Sequence, residues 1–219
     1  MDKIRLRFKK TGRAIYISHL DLMHTMQRGF SRAGYELKYS EGFNPHPVLS
    51  ILLPLSVGCA SVCELMDFKL KQDCDLKTLP AELTAVLPEG VEVMEAYEPQ
   101  RKAAELKWLA VEGIFEYDEY PAAEMTEKLS AFFAKDEILV PKKTKRGMSE
   151  FDVRAAMHDI SFEPGESGVK IKALISAQEP TLNPELLAEA LRLNAEELAP
   201  DFAKFTRIET YDRNMNIYR

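Results

Sequence analysis

Two kinds of hydrophobic pattern succeed one another along this chain, and their order limits the folds open to it. The segment IRLRFKK alternates Ile4, Leu6 and Phe8 with Arg5, Arg7 and Lys9, the period of a strand with one apolar and one basic face. In SHLDLMHTMQRGFSRAG, Leu22, Met26 and Phe30 fall at helical spacing behind Ser18. Asp21, three residues after Ser18, completes a capping box, and Gly34 is the stop signal. VLSILLPLSV reads as a buried strand and CELMDFKLK as another. DLKTLPAELTAVLPEG reads as a helix interrupted at its start by Pro80 and ended by Pro88 and Gly90, and VEVMEAYEP as a strand. Strand, helix, strand, strand, helix, strand is the split βαβ order of a ferredoxin-like unit, whose four-stranded antiparallel sheet carries two helices on one face.

The second half repeats the order more loosely. LKWLAVEGIFEY is a strand, and YPAAEMTEKLSAFFAKD a helix with Met125, Leu129, Phe132 and Phe133 on one side. EILVPKKTK and EFDVRAAMHDISFEP supply strand or hairpin material, and GVKIKALIS is a strand. NPELLAEALRLN is a helix with Asn183 as cap and Pro184 at its first position, and FAKFTRIETYDR closes as a strand. The polar segment YEPQRKAAELK separates the halves. The expected class is therefore α+β, with two tandem ferredoxin-like units over residues 1–99 and 104–219.

At 219 residues the chain is long enough to bury a sizeable core in either unit. Its longest apolar run is shorter than the roughly 18 residues of a membrane span and contains a proline. The start, MDKIRLRFKK, lacks the apolar stretch of a signal peptide, and three cysteines in one third of the chain suit a reducing compartment. A cytoplasmic protein is expected. The net charge of -6 is unevenly spread. Residues 1–58 carry nine Lys/Arg against four Asp/Glu, about +5, leaving about -11 for the remainder. A basic end on an acidic protein points to a local anionic partner, unless the cations are simply solvated.

The densest polar segment is YSEGFNPHP, residues 39–47. Pro45 and Pro47 fix their own backbones and push Asn44 and His46 towards extended conformations, while Gly42 permits a sharp turn. A stiff corner displaying Tyr39, Ser40, Glu41, Phe43, Asn44 and His46 is expected, serving either as a recognition loop or as a turn that satisfies its own hydrogen bonds. Upstream, His19, Asp21, Met23 and His24 open the helix, and Arg28 and Arg32 lie four residues apart on one face. His19 and His46 are the acid/base pair to consider if the chain is an enzyme. In the second half, PKKTKRG gathers Lys142, Lys143, Lys145 and Arg146, either a phosphate contact or a solvated hairpin tip. No P-loop, dinucleotide fingerprint, nucleophile elbow or four-ligand zinc pattern is present, so no cofactor or metal is expected.

SHLDLM and YSEGFNPHP, together with KTKRG and DVR further on, resemble an uncharacterised bacterial family found fused to, or encoded beside, cobalamin-binding radical SAM enzymes. The resemblance implies an accessory role beside a radical SAM enzyme and carries no settled activity. At fold level, tandem ferredoxin-like units are also similar to RNA endonucleases of the RAMP type. Together these lead us to expect a non-catalytic partner of a radical SAM enzyme that binds RNA or another anionic substrate. Arg5, Arg7, Lys9, Arg28, Arg32 and Lys142 to Arg146 would meet phosphates, and Tyr39, Phe43, Asn44 and His46 an unstacked base. The alternatives are a metal-independent RNA endonuclease or hydrolase working through His19 and His46, and a structural scaffold in a protein complex.

Overall fold

The computed structural model describes residues 3–144 and 147–219. The chain divides into two compact units, Met1–Ala103 and Ala104–Tyr218. Both mix helices with antiparallel sheet, so the class is α+β.

The first unit contains β1 (Ile4–Lys10), α1 (His19–Arg32), β2 (Leu49–Ile51), β3 (Ala60–Phe68), α2 (Leu79–Thr84) and β4 (Val91–Tyr97). Its strands lie side by side in the order β4, β1, β3, β2, all antiparallel. Ile4 stands opposite Phe68 and Leu6 opposite Met66, so the apolar half of β1 shares one sheet face with alternate residues of β3. Leu22, Met26 and Phe30 of α1 pack onto that face, and the Phe30 and Phe68 ring centroids are 4.6 Å apart. Leu79 and Leu83 of α2 and Val91 and Val93 of β4 complete the core. Each such side chain contributes roughly 1.5–3 kcal/mol by leaving water.

The ends of α1 follow from local chemistry. Ser18 Oγ accepts the Asp21 backbone N–H at 3.2 Å and donates to the Asp21 carboxylate at 2.7 Å. At the other end the Tyr35 N–H donates to Phe30 O and the Gly34 N–H to Ser31 O, with Gly34 at φ +82°. This is the double hydrogen bond of a glycine-capped helix terminus. Gly90 is required for a different reason. It sits at φ +88°, and a Cβ there would lie 2.3 Å from the carbonyl oxygen of Thr11, whose N–H donates to Gly90 O.

Two expected strands change. VLSILLPLSV supplies only the three residues of β2, because the chain turns away before Pro54, which has no N–H to give a ladder. β3 starts earlier than CELMDFKLK suggests, at Ala60, and both of its faces are buried from Cys63 to Phe68. Alternation therefore fails as a guide to its orientation.

The second unit contains β5 (Leu106–Glu116), α3 (Ala122–Phe133), β6 (Leu139–Thr144), β7 (Gly147–Asp152), β8 (Met157–Gly165), β9 (Gly168–Ser176), α4 (Glu185–Asn194) and β10 (Phe202–Asp212). Four strands lie in the order β10, β5, β9, β8, again antiparallel, and β6 and β7 form a separate hairpin. Met125, Leu129, Phe132 and Phe133 of α3 are buried, with Phe133 stacked on Phe162 of β8 at 5.4 Å. Pro184 precedes α4 rather than opening it, while Asn183 Oδ1 accepts the Glu185 N–H at 3.4 Å. The hairpin is closed by Asp152, whose Oδ1 accepts the N–H groups of Ile138 and Arg154 at 3.1 and 2.9 Å. Among the described residues no helix is long and apolar enough to cross a membrane.

Candidate ligand-recognition site

The basic face of β1 is the first expectation to be corrected. Arg5 is fully buried. Its Nε donates to Asp67 Oδ1 at 2.6 Å, and its Nη2 to Asp67 Oδ2 at 3.1 Å and to the Arg101 carbonyl at 3.3 Å. Asp67 stands directly opposite Arg5 on β3 and also accepts from Lys3 at 2.9 Å. Arg7 faces Glu95 on β4, 3.3 Å away, and Lys9 faces Glu92 at 2.7 Å. The alternating cations are thus one side of a cross-strand ladder of opposite charges, and Arg5 has no surface to offer a phosphate. The count over residues 1–58 missed this because the balancing acids come from β3 and β4. Over residues 1–103, 14 Lys/Arg meet 13 Asp/Glu.

Residues 39–47 form an exposed loop tied off at its neck. Tyr39 bridges to Pro47, and the Ser40 N–H donates to His46 O at 2.8 Å. The His46 N–H donates back to Ser40 Oγ at 3.1 Å, and His46 Nδ1 lies 3.0 Å from the same hydroxyl. Ser40 and His46 therefore hold the loop shut, with the serine hydroxyl and the histidine Nδ1 engaged within the loop. Gly42 adopts φ +121°, a turn few side-chain-bearing residues follow. The consequence is at the tip. Phe43 is 111% exposed, with Glu41 and Asn44 exposed beside it and Tyr39 51% exposed at the neck.

A groove of about 360 Å³ runs along the foot of this loop. Gln27 and Ser31, one turn apart on the flank of α1, form one wall, and Tyr39 and Pro47 belong to the other. Tyr35, Glu36 and Lys71 line its end, the last two paired at 2.9 Å. The Tyr35 hydroxyl donates to the Glu82 carboxylate, and that bond, with burial and the nearby negative charges, raises its pKa to about 12. Arg28 and Arg32 do not line the groove. Arg28 is exposed on the outer side of α1 and has no ion pair among the described residues, while Arg32 makes a 3.5 Å contact with Val86 O. Lys38, also exposed, leads into the loop. Sequence reading passed over Gln27, Ser31 and Tyr35 because nothing in their types sets them apart; their shared signal is the i, i+4 step on the helix flank nearest the loop.

His19 does not join His46. The α1 helix begins near the end of β1, where the Gly58 N–H reaches Ile15 O, and its 14 residues return about 20 Å along the sheet. They lead to residues 36–38, where the Lys38 N–H donates to Lys69 O and the Lys71 N–H to Glu36 O, beyond the far end of β3. His19 and His46 thus occupy opposite ends of the unit, which removes the proposed acid/base pair. His19 is half-buried, with Nδ1 shielded from solvent, and the carboxylate of Asp21 already sits at the helix N-terminus where an anion was expected.

In the second unit, Lys142 lies 4.0 Å over the Phe151 ring and donates to Thr181 O at 2.7 Å, and burial pushes its ammonium below the ordinary lysine range. It is engaged within the fold rather than held out for phosphate. Lys145 and Arg146 lie outside the described residues, as does the side chain of Lys143. Among the described residues no three His, Cys, Asp or Glu side chains gather as a metal site. Cys59 and Cys63 are buried, and burial raises the thiol pKa of half-buried Cys74.

Residues 3–184 match the model of a family described as an uncharacterized protein conserved in bacteria, DUF2344. No curated protein matches the chain in sequence. Among solved structures, a chain of a Cbf5–Nop10–Gar1 complex is similar over 94% of this chain and 48% of its own length, with 9% identity and a TM-score of 0.51. This chain spans about half the length of that one, and at such identity the likeness concerns fold alone. An unknown protein from Galdieria sulphuraria aligns over 94% of this chain and 98% of its own, with 11% identity and a TM-score of 0.26, too loose a likeness to support any argument.

Proposed function

The chain belongs to this uncharacterised bacterial family, and on that premise we propose that it is a non-catalytic, RNA-binding accessory protein of a radical SAM enzyme, working through the loop at residues 39–47. Phe43 is the observation that carries the reading. Folding leaves its whole ring in water at the tip of a loop closed by Ser40 and His46, and a ring held out in this way is a ready platform for a base. Base–aromatic stacking is worth about 1–3 kcal/mol and tolerates any base. Arg28, Arg32 and Lys38, all exposed, are the cations best placed to meet phosphates near the loop. The enzyme partner rests on the resemblance of SHLDLM and YSEGFNPHP, and the separation of His19 from His46 favours a binding role over a catalytic one.

We read each unit as ferredoxin-like, in tandem over residues 1–99 and 104–219. What supports this is the strand order. In β4, β1, β3, β2, and again in β10, β5, β9, β8, the last strand of the βαββαβ series lies beside the first and the third beside the second. The β6–β7 hairpin is then an insertion after the first helix of the second unit.

The test is the affinity of the purified protein for single-stranded RNA across a salt series. Three phosphate contacts give a slope of about -2 in log affinity against log salt. Phe43→Ala should weaken binding about tenfold while leaving the fold unchanged by circular dichroism. Salt-independent binding, or full affinity in Phe43→Ala, would refute the reading. Cleavage of the RNA that disappears in His46→Ala would return the protein to the enzymes.

A further inference from the structure

We propose that the groove between α1 and the neck of the loop is a pocket for one adenine base. Its volume, about 360 Å³, lies near the lower end of small-molecule sites, which begin at roughly 300 Å³. That suits a single nucleoside better than a large cofactor. The lining excludes an anion. Glu36 and Lys71 neutralise each other at 2.9 Å, and the groove lies at the C-terminal, negative end of α1. A phosphate is therefore left outside, and a neutral ring is what the walls accommodate.

The remaining polar groups choose the ring. Ser31 donates its hydroxyl proton to the Gln27 backbone carbonyl at 3.3 Å, so its oxygen has only lone pairs left for a ligand. The Gln27 side-chain amide has no partner among the described residues and offers an acceptor beside a donor. Adenine presents the complementary pair, an exocyclic amine beside a ring nitrogen, and a side-chain amide meets it with two hydrogen bonds. Uracil also meets such an amide, through N3–H and a carbonyl, but that single N–H is then spent, whereas the adenine amine keeps a second N–H for the lone pairs of Ser31 Oγ. The half-exposed Tyr39 ring supplies an aromatic face at the same wall.

This inference rests on the RNA-binding reading for the source of the base, although a free adenine nucleoside has the same chemistry. The experiment separates the two. Affinities of wild type, Gln27→Leu and Tyr39→Ala are measured for oligo(A), oligo(U), adenosine and uridine, with circular dichroism confirming that each variant is folded. Wild type should bind oligo(A) about tenfold tighter than oligo(U). Gln27→Leu should lose that preference and keep binding at the oligo(U) level, and Tyr39→Ala should weaken oligo(A) binding. Equal affinity for both polymers, or a preference that survives Gln27→Leu, overturns the pocket and leaves RNA binding standing. Binding of adenosine but of no oligonucleotide, abolished by Gln27→Leu, supports the pocket and overturns the RNA reading. Absence of all binding overturns both.

Discussion

Replacing Arg5 by methionine keeps most of the side-chain volume and removes the charge that Asp67 is buried against. Asp67 then retains only Lys3, whose side chain is 50% exposed, while its own is 5% exposed. Breaking a buried ion pair from one side costs about 3–5 kcal/mol, because the other charge stays behind without its partner. At ~4 kcal/mol and a denaturant slope of ~2 kcal/mol/M, the urea midpoint of the affected transition, followed by far-ultraviolet circular dichroism, should fall by ~2 M. The double variant Arg5→Met/Asp67→Leu should recover most of that loss, since two apolar side chains of similar size replace both charges. RNA affinity should be unchanged in the folded single variant. A cost below about 1 kcal/mol, or a double variant as unstable as the sum of the singles, would refute the view of Arg5 as a structural cation. The pair also leaves a mark on acid stability. Desolvation pushes the Asp67 carboxyl up, but hydrogen bonds and charge from Arg5 and Lys3 outweigh it and hold the group below the ordinary carboxylate range. Its stabilisation is therefore complete above the unfolded value of about 3.9 and is lost as pH falls through the lower folded value. Arg5→Met should flatten that acid limb.

Gly90→Ala should destabilise the first unit by ~2–4 kcal/mol in thermal unfolding, since its Cβ would collide with the Thr11 backbone at a φ that alanine avoids. Insertion without loss would mean that the Thr11 segment moves freely. In an alkaline titration of tyrosinate absorbance, one step near pH 12 should vanish in Tyr35→Phe. The hydrogen bond to Glu82 favours the neutral phenol, so its contribution to stability is whole below about pH 10 and fades as pH rises towards 12.

What the sequence revealed about this molecule depended on how local the cause was. The Ser18–Asp21 cap and the Leu22, Met26, Phe30 stripe are set within one or two helical turns, and both appear in the structure as read. The alternation in β1 correctly separated Ile4, Leu6 and Phe8 from the cations. It could not show that Asp67, 62 residues away, would stand opposite Arg5, because register is decided by tertiary pairing. Charge was legible as a count and misleading as a surface. Pro45 and Pro47 announced a stiff corner at residues 39–47, but only the closed neck distinguishes Ser40 and His46, which hold the loop, from Phe43, which it displays. Beyond the i, i+4 step from Gln27 to Ser31 the groove had no signature, since its walls come from a helix flank and a loop neck that meet only on folding.

The closed neck at Ser40 and His46 makes the intervening segment mechanically independent of the sheet. Exchanges at the exposed Glu41, Phe43 and Asn44 should leave the interior undisturbed, so under the proposed binding role preference for a ligand and robustness of the scaffold would be tunable separately. Under that role, grafting a different five-residue tip between those two anchors would be the route to changing what the loop selects.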